Sequence, residues 1–119
     1  MGAYEAKYVW ADQIGGTASA AITGGQVLAV SGNGTVGPAG AASAAVIGVA
    51  AFDAASGTRV SYYPRGKVHV STADGAITAG DRVDSAAAGA VASGTAGVNN
   101  IGIALTTAAD EALVEWMEI

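Results

Sequence analysis

The chain has no cysteine, one histidine and five cationic side chains among 119 residues. Each shortage removes a class of chemistry. Without cysteine there is no disulfide framework, no thiolate metal site and no cysteine nucleophile. A lone histidine, His69, leaves the serines at most one partner for a triad, and no Gly-x-Ser-x-Gly elbow occurs. Ten acidic residues against five basic ones give a net charge of −5, so the electrostatic footprint of a nucleic-acid binder is missing. No window approaches the roughly 18 uninterrupted apolar residues of a membrane span. The first seven residues, Met1 to Lys7, lack the apolar run of a signal peptide. The expectation is a protein made and used without export.

Leucine is also scarce, confined to Leu28, Leu105 and Leu113. Alanine and glycine together make up roughly four residues in ten, so any core must be filled with small side chains. Alanine alone would favour helix. The excess of valine and isoleucine and the glycines spread along the chain favour strands instead. One domain of all-β class is predicted.

What is present is a repeat. Ala21-Ile22-Thr23-Gly24-Gly25 is echoed by Ala76-Ile77-Thr78-Ala79-Gly80, and Ile47-Gly48-Val49-Ala50 by Ile101-Gly102-Ile103-Ala104. Gly34 and Val36 map to Gly89 and Val91, and a one-residue deletion then brings Val60 onto Val114 and Tyr62 onto Trp116. The copies span residues 21–66 and 76–119, which predicts a β domain of two similar modules over 21–119. Residues 1–20 carry Tyr4, Tyr8 and Trp10, which precede Gly15-Gly16, and have no counterpart in the second copy. They are predicted to form an extended N-terminal arm that gains by finding a surface for its rings.

Within the modules, Val27 to Val30 runs into Ser31-Gly32-Asn33-Gly34, a strong hairpin signal, and Ala88-Gly89 makes the same hairpin with a weaker turn. Val46 to Phe52 and Ile101 to Thr106 are near-continuous apolar runs, as in strands buried on both sides. Gly48 and Gly102 interrupt them and predict a close backbone crossing. Thr58 to Tyr63 and Lys67 to Ser71 alternate about Pro64-Arg65-Gly66 and suggest a hairpin. Val68 and Val70 would then face the core, with Lys67, His69 and Ser71 in water. In the last strand Val114 and Trp116 take core positions, while Leu113, Met117 and Ile119, interrupted by Glu115, form a second apolar face suited to another subunit.

No catalytic set emerges. On that hairpin His69 is a solvated residue, and the aspartates Asp74, Asp81 and Asp84 fall at turns, where local hydrogen bonding favours them. Asp110, Glu111, Glu115 and Glu118 lack the spacing of a calcium loop. The glycine-rich stretch from Gly32 to Gly40 lacks the lysine of a phosphate loop. No metal site, cofactor or small-molecule substrate is expected.

The string Ala76-Ile77-Thr78-Ala79-Gly80-Asp81-Arg82-Val83, then Gly89-Ala90-Val91, Ile101-Gly102-Ile103-Ala104 and the closing Val114-Glu115-Trp116 resembles the capsid decoration (cement) proteins of tailed bacteriophages. The Ile-Thr-x-Gly-Asp-x-Val portion also resembles β-clip modules, the class of the lambdoid head decoration protein. The resemblance implies a small barrel-like, β-clip-type domain and a structural, non-enzymatic protein of the virion, made in the host cytoplasm and placed on the outer capsid surface. It further implies a homotrimer at three-fold and quasi-three-fold positions, bridging major capsid protein subunits. Tyr4, Tyr8, Val9 and Trp10 would then be the capsid-binding arm, and Leu113, Met117 and Ile119 the subunit interface. Membrane and nucleic acid are not implied as partners. The competing expectation is a head-fibre or adhesin-like module that recognises glycans through Tyr62, Tyr63 and Trp10.

Overall fold

A computed structural model describes residues 13–95 and 97–119. Ten strands form two five-stranded sheets. The first holds β1 (Ile14–Ala18), β2 (Val27–Gly32), β3 (Thr35–Pro38), β4 (Val46–Ala50) and β5 (Arg59–Pro64) in the order β1-β3-β2-β4-β5, closed into a barrel by pairing of β1 with β5. The second holds β6 (Val68–Thr72), β7 (Arg82–Ser85), β8 (Val91–Ser93), β9 (Gly102–Ala104) and β10 (Leu113–Glu118) in the order β6-β10-β9-β7-β8. The chain is all-β, as its composition predicts. Among the described residues no helix is long and apolar enough to cross a membrane.

The two sheets share the same pairing scheme. Ile22 and Ala54 exchange backbone hydrogen bonds of 2.8 and 2.9 Å, and Ile77 and Ala108 exchange two of 2.9 Å. The Gly25 N–H donates to Ala50 O in one copy and the Gly80 N–H to Ala104 O in the other. The parallel pairing of Ala18 with Val36 in the first module returns as a single bridge between Ala73 and Val91 in the second. The second sheet thus has a single bridge between its outer strands where the first, a closed barrel, has a ladder.

This equivalence moves the boundary of the arm. Ala18 and Ala73 take corresponding bridges, so β1 is the counterpart of β6. Ile14 to Ala18, expected to lie in the arm of residues 1–20, is instead a strand paired with β3 and β5. The sequence match misses it because Ile14-Gly15-Gly16 and His69-Val70-Ser71 share a backbone role and no side-chain character.

Small residues let the strands approach. A Cβ at Gly48 would collide with the carbonyl of Tyr63, and one at Gly102 with the carbonyl of Met117 and the Trp116 ring. Both glycines thus sit where a neighbouring backbone crosses closely. The hairpin at Asn33-Gly34 forms, with Gly34 at φ +74° and a bulge between Val30 and Gly32. Its counterpart turns through a short 3₁₀ segment, Ala87–Gly89, in which both Ala88 and Gly89 have positive φ. The apolar runs end sooner than expected, β4 at Ala50 and β9 at Ala104, leaving Phe52 and Leu105 exposed.

One cluster lies within the first barrel: Ala18, Ile22, Leu28, Val36, Ala50 and Val60. The larger cluster joins β2 and β4 of the first module to the second, where the buried Trp116 supplies the bulk that alanine and valine lack.

Candidate contact face

The hairpin predicted about Pro64-Arg65-Gly66 does not form. β5 pairs with β1 and β4, whereas β6 pairs with β10, so this turn carries the chain from one module to the next. With that crossing the side-chain sense of β6 is reversed from expectation. His69 is 7 % exposed and Ser71 3 %, while Val68 is 55 % and Val70 49 % exposed. Strand alternation alone cannot choose which of its two faces goes inward, and here the polar one does.

His69 and Ser71 are both partnered, which is what makes this orientation tenable, while one oxygen of the buried Glu118 has no hydrogen-bond partner among the described residues and only the Arg65 charge nearby. Ser71 Oγ donates to the Gly25 carbonyl at 3.0 Å and lies 3.0 Å from Trp116 Nε1, whose N–H it accepts. His69 Nε2 lies 3.2 Å from Glu118 Oε1, and its ring rests between Trp116 and Tyr63, with centroids 5.2 and 6.1 Å away. The Glu118 carboxylate is fully enclosed, and its other oxygen lies 3.6 Å from Arg65 Nε. A histidine expected in solvent thus anchors the last strand from beneath.

Above this clasp lies the apolar face. β10 alternates strictly, with Val114, Trp116 and Glu118 buried and Leu113, Glu115 and Met117 exposed. Leu113, at 68 %, is the most exposed of the large apolar side chains described. Register sets Met117 opposite Val68, Glu115 opposite Val70 and Leu113 opposite Thr72. The expected interface residues Leu113, Met117 and Ile119 are all exposed, and β6 adds Val68 and Val70, which sequence alternation had assigned to the core. The corresponding face of β5 carries Arg59, Ser61 and Tyr63. Duplication has left one module with a mixed polar exterior and the other with an apolar one.

The remaining candidates fall as follows. Tyr4, Tyr8, Val9 and Trp10 lie outside the described residues. Tyr62 is half-buried against the first core, and Tyr63 is half-buried beside His69. Asp81 Oδ2 accepts the Thr78 N–H at 2.9 Å and the Ser93 hydroxyl at 3.1 Å, and Asp110 Oδ1 accepts the Gly75 N–H at 2.8 Å. Asp84 is buried and takes a 2.6 Å bond from Asn100 Nδ2. Asp81 and Asp110 thus brace turns, whereas Asp84, expected at a turn, lies within β7 and holds the loop that carries Asn100. Among the described residues no three His, Cys, Asp or Glu side chains converge as a metal site would require.

A crystal structure of the head fibre gp8.5 N base in bacteriophage phi29 superposes on this chain with a TM-score of 0.72. It covers 90 % of this chain and 92 % of its own at 20 % identity, a likeness of fold. Comparison with curated proteins finds no match. The family model for phage cement proteins matches residues 11–117, which takes in both modules and all but the last residue of β10. A chain built from duplicated small-residue β modules, with an apolar outer face and a matched family over nearly its whole length, belongs to the phage cement protein family, whose members are structural proteins of the virion rather than enzymes.

Proposed function

We propose that this cement protein decorates and stabilises the outer surface of a tailed-phage capsid, binding as homotrimers at three-fold and quasi-three-fold positions between major capsid protein subunits. The observation that carries the self-association is the inverted strand β6. A strand that buries a histidine and a serine while exposing two valines forgoes hydrophobic stabilisation as an isolated subunit. That arrangement is reasonable where a second copy covers the valines together with Leu113, Met117 and Ile119. Cyclic association presents the same face on every copy. A core rich in alanine also leaves a small domain in need of the added burial.

The arm, taken as the residues before β1, supplies the shell contact through Tyr4, Tyr8, Val9 and Trp10. Three arms on one trimer act together, so weak single contacts sum to firm attachment. Support for a capsid-surface role comes from the family and from the fold it shares with a protein described as the base of a phage head fibre. The test is cosedimentation with undecorated capsids. Protein lacking residues 1–10 is expected to remain folded and trimeric and to stay in the supernatant. Pelleting at the level of the intact chain would refute the role assigned to the arm.

A further inference from the structure

The chain has three asparagines, Asn33, Asn99 and Asn100. Two are tied down. Asn99 Nδ2 donates to the Ala42 carbonyl at 2.9 Å. Asn100 Oδ1 accepts the Gly97 N–H at 2.7 Å while its Nδ2 donates to Asp84. Asn33 makes no such bond among the described residues. It is exposed at the tip of the β2–β3 hairpin with a glycine on either side, and nothing lies within 4 Å of where a Cβ on Gly34 would be. Gly32 is held in the ladder opposite Thr35, but glycine on both flanks puts no side chain over the Asn33-Gly34 peptide, and Gly34 already sits at a positive φ that glycine adopts freely.

We propose that Asn33-Gly34 is a spontaneous modification site of the assembled particle. Hydroxide removes the Gly34 amide proton, and the nitrogen attacks Asn33 Cγ. The new N–Cγ bond closes a five-membered succinimide as the Cγ–Nδ2 bond breaks, and ammonia leaves with a proton from water. A second water then opens the ring at either carbonyl, giving aspartate or isoaspartate, with no change of oxidation state. The attack is intramolecular, between groups one residue apart, so its rate is set by how freely the tip reaches the attacking geometry.

The position gives the product a structural effect. Thr35 follows Gly34 directly and opens two ladders, opposite Gly32 in β2 and opposite Thr17 in β1. Isoaspartate inserts an extra carbon into the backbone at residue 33, two positions before Thr35, so it shifts the start of β3, the strand that pairs with both β1 and β2. Aspartate adds only a charge at an exposed tip. A virion protein is not replaced after assembly, so the altered hairpin accumulates as the particle ages.

The experiment is incubation of the intact protein in warm, mildly alkaline buffer, followed by peptide mapping by mass and by isoaspartyl methyltransferase labelling. The Asn33 peptide is expected to convert about tenfold or more faster than the peptide holding Asn99 and Asn100, as the freedom of its tip dictates. Equal rates at the two places would overturn the assignment. Asn33→Gln should abolish the label, and label persisting in that variant would place the reaction elsewhere. Melting separates the two products. The isoaspartate fraction should unfold earlier than fresh protein, while Asn33→Asp should melt with it. A variant Asn33→Asp melting as early as aged protein would show that charge, not backbone lengthening, does the damage, and would overturn the structural half of the proposal.

Discussion

Replacing Ser71 by alanine tests the inversion of β6 most directly. The substitution removes a hydroxyl that is 3 % exposed and leaves two groups without partners, the Trp116 indole N–H and the Gly25 carbonyl. Trp116 is fully buried, so its N–H has no route to water. Orphaning one buried donor costs about 1–3 kcal/mol, and the loss at Gly25 O is smaller because that turn is half-exposed. A net loss of about 2 kcal/mol follows, or roughly 8 °C in melting temperature for a domain of this size. The companion substitution is Val70→Ser. On an exposed site it changes subunit stability by no more than about 0.5 kcal/mol. Were Val70 in the core, as strand alternation alone suggests, it would cost about 2 kcal/mol or more through lost burial and an unpaired hydroxyl. Urea denaturation at low protein concentration reads the two variants on the monomer scale, free of stabilisation by association. A neutral Ser71→Ala with a damaging Val70→Ser would refute the orientation of this strand and everything built on its valines.

Three further outcomes follow from the same geometry. Leu113→Glu and Met117→Glu place a charge on the apolar face and should reduce the proposed trimer to monomer by light scattering while leaving circular dichroism unchanged; three subunits in both variants would move the interface elsewhere. Gly48→Ala and Gly102→Ala each drive a Cβ into backbone, and both should cost about 3 kcal/mol or fail to give soluble protein, against the usual small effect of a surface glycine. Truncation separates arm from fold: removal of residues 1–12 should leave the melting transition in place, whereas removal of residues 1–20 deletes β1, opens the first barrel and should abolish cooperative unfolding in calorimetry.

The duplicated β modules were legible because glycines and β-branched residues recur at fixed spacing wherever the backbone must cross closely or turn. Gly48 with Gly102, and Ile22 with Ile77, hold their places for that reason. Strand β1 escaped notice because a strand that closes a barrel is defined by its pairing partners, and Ile14-Gly15-Gly16 carries no alternation to mark it. The exposed face of β10 was readable from one strand alone, since Val114 and Trp116 left Leu113 and Met117 no other side. The facing of β6 was not. Its alternation is clean but ambiguous, and the choice depends on Trp116, Glu118 and Gly25, which are distant in sequence and supply the partners for a buried hydroxyl and imidazole.

Comparison of the two modules shows why that choice is tied to the outer face. Register places Gly16 opposite Val60 and Ile14 opposite Tyr62 in the first, and Ser71 opposite Val114 and His69 opposite Trp116 in the second. A Cβ on Gly16 would rest about 3.6 Å from the Tyr62 ring, so the first module sets a glycine beneath a tyrosine where the second sets a serine against an indole. In the first arrangement the tyrosine is only half-buried and the exterior is mixed. In the second, the larger Trp116 fills the core only if its N–H is met, and Ser71 meets it at the cost of turning Val68 and Val70 outward. The polar interior and the apolar exterior of β6 are thus one structural decision. A substitution pair that made the interior apolar, Ser71→Ala with Trp116→Phe, should recover part of the stability lost in Ser71→Ala alone, because no indole N–H is then left stranded. The same pair should leave association intact, since neither residue touches the outer face. Loss of the trimer in the double variant, with the fold retained, would show that the clasp does more than orient the strand above it.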